Sequence, residues 1–347
     1  MSDAPALTVE TGPPNRINAE QWLYDRSPVG TFLTSAAILA LLAAAFLGAA
    51  AVDRVPVFDP HGRVAGLGEA VWPAFVLSLL LTVVLGTQRY ARQKNEADEP
   101  VFTRLFQREG PPPDFLTPGT RLRLIIATVV GLAAGAGLTV ISLPRTILGI
   151  HPFVTAWFFA AESLVLILFA RGIVMSARSG ELFSLSIRRD LHIDLLRIDR
   201  LAAIGRYGAR IALVWFSVAA VICLFFVGDN MAASTFLTVL GAAGIGIWIF
   251  MQPMMQVHKR IRAAKEAELE ILRHAIADLR VQVLRDPPAA TQLQGLLAYE
   301  KRIEDVREWP FDQTTALRLT AYVFIPAIPW FGQAIAQYFV ERLAQSG

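Results

Sequence analysis

One carboxyl group in this chain sits where a carboxylate is costly. Glu162 lies in the run Phe158-Phe159-Ala160-Ala161-Glu162-Ser163, inside an apolar stretch long enough to cross a bilayer. It comes about nine residues into that stretch, which at about 1.5 Å per helical residue is near mid-bilayer. It is the only acidic residue well inside any apolar run of the sequence. A charged carboxylate at that depth costs at least ~2.5 kcal/mol, so the group must be neutral, paired or in contact with water. Two chemistries follow. In one, Glu162 is the proton or cation site of a transporter or channel. In the other it is a protonated carboxyl that hydrogen-bonds between helices, with Gln333 and Gln337, one turn apart on one face of a later apolar stretch, as partners. A lone acid, without a second acid or a basic counter-ion, makes a poor pump.

Other reactive residues are sparse. His61, His151, His192, His258 and His274 are scattered. His192 beside Asp190 and Asp194 has the pattern of a surface helix, and His61 with His151 supply at most two metal ligands. The single Cys223 permits no internal disulfide and no cysteine cluster, and reads as a small packing residue. The sequence contains no HExxH, no GxSxG, no Walker loop and no dinucleotide fingerprint. The expectation is a non-enzyme with no cofactor and no metal.

The elements that must hold Glu162 are apolar runs at 31–51, 70–86, 122–143, 153–175, 211–228, 232–251 and 316–340. A hydrocarbon core of roughly 30 Å needs about 20 apolar helical residues. Hydrophobic residues make up 54% of the chain, and putting these runs in water would outweigh a domain's net stability. The fold class is therefore all-α: a polytopic membrane protein of about seven transmembrane helices, with a cytoplasmic antiparallel helical hairpin between the sixth and seventh. The seventh run is the least regular, because Pro326 and Pro329 interrupt it and allow a re-entrant turn.

Charge fixes the expected orientation. With the N-terminus inside and the runs alternating, 28 of the 32 Lys+Arg fall in the inside segments or toward the inner ends of the runs, and only Arg54, Arg63, Arg145 and Arg342 fall outside. The net charge of +3 follows from this partition and needs no nucleic acid to explain it, although a basic inner face favours anionic lipid. The first run, after a long polar leader, fits an uncleaved anchor. A composition rich in Ala and Arg and poor in Lys points to a bacterial inner membrane, with the N-terminus cytoplasmic and the C-terminus periplasmic. The outside loops are too short to fold a domain.

The inside segments are longer. Segment 1–30 reads as mobile, with a short interfacial turn that lays Trp22 and Leu23 on the membrane. Loop 87–121 carries an acidic patch (Glu96, Asp98, Glu99) and ends in the stiff Gly110-Pro111-Pro112-Pro113. In loop 177–210, Phe183, Leu185 and Ile187 alternate with polar residues, and Leu191, Leu195 and Ile198 have helical spacing. A short interfacial helix fits, and a short β-hairpin is the alternative. The sixth run, in a membrane domain spanning 31–256, continues past an expected kink at Pro253 into segment 257–311. There Leu269, Leu272, Ile276, Leu279 and Val283 form an a/d stripe. Asp286-Pro287-Pro288 ends that helix. A second begins near Thr291 with Leu296, Tyr299, Ile303 and Val306 on one face, ends at Trp309-Pro310, and leaves Asp312 to cap the seventh run in segment 312–347. The stripe is about two heptads long, short of a free-standing coiled coil. Either the hairpin packs only on itself, or it also offers a face to a cytoplasmic protein or a second copy.

Small residues mark packing faces: Gly131 and Gly135 in the third run, Ala242 and Gly246 in the sixth. Such pairs expect helix packing within one protomer. The functional expectation is an interaction or assembly platform with the hairpin as contact element. The alternative is a transporter or channel component that uses Glu162.

Overall fold

The computed structural model describes residues 22–59, 67–106, 118–143, 147–189, 191, 193–226, 233–283, 287–309 and 313–325. In these residues the chain forms α1 (Trp22–Arg26), α2 (Thr31–Asp53), α3 (Val71–Phe106), α4 (Pro118–Ser142) and α5 (Pro152–Arg189). A 3-10 segment at Leu195–Leu201 follows, then α6 (Ala202–Cys223), α7 (Ala233–Val283), α8 (Pro287–Glu304) and α9 (Gln313–Phe324). Among the described residues there is no strand, only one isolated bridge between Phe58 and Leu67.

Five helical segments are long and apolar enough to cross a membrane: Thr31–Asp53, Val71–Asp98, Gly119–Ser142, Pro152–Arg189 and Leu195–Cys223. They correspond to the first five apolar runs. The sixth run forms the start of α7. The seventh begins within α9, and the rest of it, including Gln333 and Gln337, lies outside the described residues, as do Gly110–Pro113 and Asp312. Phe32, Leu41, Ile125, Val129 and Ile141 point outward from the bundle. That ring of uncovered apolar side chains suits lipid and not water. The chain is a multi-pass helical membrane protein.

One end of the bundle is stitched by short polar contacts. The Val154 amide donates to Asp53 Oδ2 at 2.8 Å, so the last residue of α2 caps the start of α5. His151 Nδ1 lies 3.0 Å from the Asp53 carbonyl, and Trp72 Nε1 donates to the Leu224 carbonyl at 2.8 Å. Beneath this rim, α2, α3, α5 and α6 enclose a core that includes Phe46, Leu81, Phe158, Leu168 and Val218.

At the other end three helices are longer than a bilayer crossing needs. α3, α5 and α7 have 36, 38 and 51 residues. They are thus about 54, 57 and 76 Å long, against a hydrocarbon core of ~30 Å. Two expected loops are therefore largely helix: α3 continues through Pro100 to Phe106, and α5 through the alternating segment to Arg189. Among the described residues the β-hairpin expected at 177–210 does not form, and the 3-10 segment at Leu195–Leu201 stands where the short interfacial helix is expected. The reason is tertiary. Phe183 lies 6.2 Å from Phe102, 5.8 Å from Phe106 and 4.9 Å from Tyr207 in ring-to-ring contacts. Ile187, one turn on, is buried in the same cluster, while Leu185 is left exposed. The i, i+4 pair finds a surface to bury against, and that decides between periods 2 and 3.6.

These extensions, with α6, α7 and the 3-10 segment, build a second core around Phe106, Ile204, Phe216, Phe250, Met254 and Ile261. Arg210 joins it to the α3 extension by an ion pair with Asp98 and a bond to Asn95 Oδ1 at 2.8 Å. Arg89 pairs with Asp25 of α1, and Tyr24 of α1 is buried with its hydroxyl on Ser35 at 2.8 Å. Trp22 and Leu23 remain exposed, in keeping with an interfacial turn. α7 stays helical through Pro253, so the sixth run and the first arm of the helix pair are one element.

Candidate functional site

Glu162 sits ten residues into α5, and its side chain leans back toward the helix start, as helical side chains do. It is buried, at 5% exposure. Its partners are on α4: Thr139 Oγ1 lies 2.6 Å from Oε2, and Ser142 Oγ donates to Oε1 at 2.9 Å. The expected partners Gln333 and Gln337 are outside the described residues. The observed ones are within reach because α4 and α5 form the most extensive helix contact among the described residues.

Glycine makes that contact possible. A Cβ on Gly135 would stand 2.3 Å from Ser163 Cα, and one on Gly131 would stand 2.6 Å from Ile167 Cα. The two helices meet backbone to backbone, so the GxxxG pair packs within the protomer. Thr139, one turn beyond Gly135, is thereby brought against the carboxyl. Its hydroxyl also lies 3.0 Å from the Gly135 carbonyl. A hydroxyl carries one proton. If Thr139 donates that proton to Gly135, it is free to accept one from a protonated Glu162. A neutral carboxyl thus satisfies both contacts at once, and an ionised one leaves the Gly135 contact unmade. Arg171 is a basic residue on the same helix, but nine residues, about 13 Å, toward the other end.

The second candidate is the α7–α8 pair. Leu269 and Leu272 of α7 and Ile303 of α8 are buried together, with Leu296 and Tyr299 packed on them. Ile276, Leu279 and Val306 are half-buried, and Val283 closes α7. Arg273 Nε donates to Glu300 at 3.1 Å and Arg273 Nη2 to Glu304 at 3.2 Å. Lys265 Nζ donates to the carbonyls of Glu304 at 2.6 Å and Val306 at 3.2 Å, and Tyr299 Oη to Glu268 at 3.2 Å. Rising α7 numbers meet falling α8 numbers, so the helices run antiparallel. α8 starts at Pro287, four residues before the expected start: proline suits the first turn of a helix, where no amide hydrogen is needed. It ends at Glu304, and Trp309 stacks instead on His258 at 4.5 Å.

Ala242 and Gly246 lie on the backbone of α7. His151 precedes α5, His258 and His274 lie 16 residues apart on α7, and no group of three metal-ligating side chains occurs among the described residues. Sequence reasoning did not single out a cavity of about 350 Å³ between α3, α5 and α6, lined among others by Arg92, Arg171, Gly172, Tyr207 and Trp215. The available signal was Arg171-Gly172 inside the fourth apolar run. A scan against protein-family models, a search of curated proteins and a search of solved structures each return no match.

Proposed function

We propose that this chain is a bacterial inner-membrane platform whose α7–α8 pair is the contact element for a cytoplasmic protein or a second copy. The observation that carries the reading is α7 itself, one 51-residue helix running from the membrane bundle out to the arm that α8 packs on. Such a rigid continuation fixes the pair relative to the bundle. The seam between α7 and α8 is filled by their own residues and by Leu195 of the 3-10 segment, while Ile271, Val281 and Leu297 stay exposed on the same pair. The reading places the pair and the N-terminus in the cytoplasm, supported by the one-sided arginine and lysine distribution.

Photocrosslinking groups at Ile271, Val281 and Leu297 in living cells test it. A discrete protein adduct, or a cross-linked dimer, is expected at one or more of these positions. No adduct at any of them overturns the platform. Orientation is read by a reporter active only outside the cytoplasm: silence at residue 290 and signal at Gly347 are expected, and the reverse overturns the assignment.

A second reading keeps Glu162 as a proton-exchanging group, and one observation favours it: Ser142, which bonds the carboxyl, is exposed at the end of α4. Against it, Glu162 lines neither the cavity beside Arg171 nor the one beside Leu105. Glu162→Gln separates the two. It abolishes activity if the group must change charge, and leaves function intact if the carboxyl only bonds α4 to α5.

A further inference from the structure

The cavity between α3, α5 and α6 changes character along its length. One end is walled by Val84, Leu168, Trp215 and Val218, and the other carries Gln88, Arg92, Asn95, Arg171 and Ser176. Counted from the starts of α3 and α5, its lining runs from about 20 Å to about 40 Å into these helices. It therefore crosses the boundary of a ~30 Å hydrocarbon core, with the apolar end inside and the polar end at headgroup depth. At about 350 Å³ it falls within the ~300–1,000 Å³ range of small-molecule sites.

We propose that this cavity binds an anionic phospholipid from the arginine-bearing leaflet, one chain against Leu168 and Trp215 and the headgroup at Arg171 and Arg92. Depth selects a lipid, because only an amphiphile matches a wall that turns from apolar to charged at the membrane boundary. Charge selects the class. Among the described lining residues the mouth holds the guanidinium groups of Arg92 and Arg171 and one carboxylate, Glu96, which lies 2.8 Å from Arg92. Arg171 Nη1 also reaches the Thr128 hydroxyl of α4 at 3.4 Å, which sets it at the α4–α5 boundary facing the mouth. Gly172 leaves the site open: it lines the cavity, and a Cβ there would meet nothing within 4 Å. The inference rests on the membrane fold and not on the platform reading.

The test is native mass spectrometry of the full-length protein after exchange into mixed phosphatidylglycerol and phosphatidylcholine. Wild type is expected to retain one phosphatidylglycerol with a preference of about tenfold, the scale of one charge-assisted contact. Arg171→Gln should abolish the preference. Gly172→Phe should abolish retention while leaving every charge in place, and Gly172→Leu gives the same result if phenylalanine does not fold. Arg197→Gln with Arg200→Gln, on the separate basic cavity beside Leu105, should change neither. Equal retention of the two lipids by wild type overturns the proposal. So does undiminished retention in the folded Gly172 variants, or loss of the preference only in the Arg197/Arg200 variant.

Discussion

The α4–α5 pair and the α7–α8 pair are both antiparallel two-helix contacts, and they are held together by different means. α4 meets α5 through Gly131 and Gly135, close enough that a single methyl group would collide with the opposite backbone. Its polar groups, Glu162, Thr139 and Ser142, bond to one another. α7 meets α8 through Leu269, Leu272 and Ile303, with Arg273, Glu300, Glu304 and Lys265 around the edge. The difference follows the solvent. In lipid, apolar side chains gain nothing by leaving an apolar medium, so association depends on close packing and hydrogen bonds. In water the apolar seam supplies the driving force, and the charges keep the edge soluble. On the reading proposed above, the first is a closed joint and the second a surface that stands free of the bilayer.

Four sets of substitutions probe this contrast, in descending size of effect. Gly135→Leu should be the most damaging, since its side chain must enter the Ser163 backbone. A cost of about 3 kcal/mol or more is expected, read as a lowered Tm and a poor yield of the purified protein. Wild-type melting would mean that the helices are not in backbone contact.

Ile303→Asp puts a charge at a position with 0% exposure in the α7–α8 seam. A few kcal/mol of local destabilisation should make α8 sensitive to protease and leave the spanning helices inserted. Leu272→Asp with Ile276→Asp should do the same from the α7 side. Unchanged proteolysis in both would show that the arms are not packed.

At Glu162 the effects are smaller and informative in order. Glu162→Gln keeps an acceptor for Ser142 and should shift stability by less than about 1 kcal/mol. Glu162→Leu removes both bonds and should cost about 1–2 kcal/mol. A leucine variant as stable as wild type would show that the carboxyl does not join α4 to α5.

The smallest change carries the sharpest contrast. Gly295, midway along α8, has nothing within 4 Å of a built Cβ. Gly295→Ala should therefore stabilise α8 by about 0.5–1 kcal/mol, seen as slower proteolysis of the pair. Gly135→Ala, the same chemical change, should lower the melting temperature. Equal signs at the two positions would erase the distinction between the regions.

How much was legible varied by element. The first five spans could be read because uninterrupted apolar runs of bilayer length have few alternative fates. The stripe Leu269, Leu272, Ile276 and its counterpart Leu296, Tyr299, Ile303 could be read because a local period of 3.5 encodes a packing face. Glu162 stood out by chemistry alone. Its partners did not: Thr139 and Ser142 look like ordinary small polar residues, and only the glycine-driven approach of α4 gives them a carboxyl to bond. The segment 177–189 was ambiguous for the same kind of reason, since Phe183 and Ile187 fit either period until Phe102, Phe106 and Tyr207 supply a surface.

By itself, then, the sequence determined the quantities set by solvent and by local period: membrane-length helices, the segregation of charge to one end, and two amphipathic arms with a proline stop between them. Tertiary structure decided what depends on proximity between distant residues. It carried α3, α5 and α7 into a second core, chose Thr139 and Ser142 as partners for Glu162, and opened the cavity beside Arg171 and Gly172. Burial preferences are written along a helix face, whereas the identity of the neighbour that fills or vacates that face arises only when helices far apart in the chain are brought together.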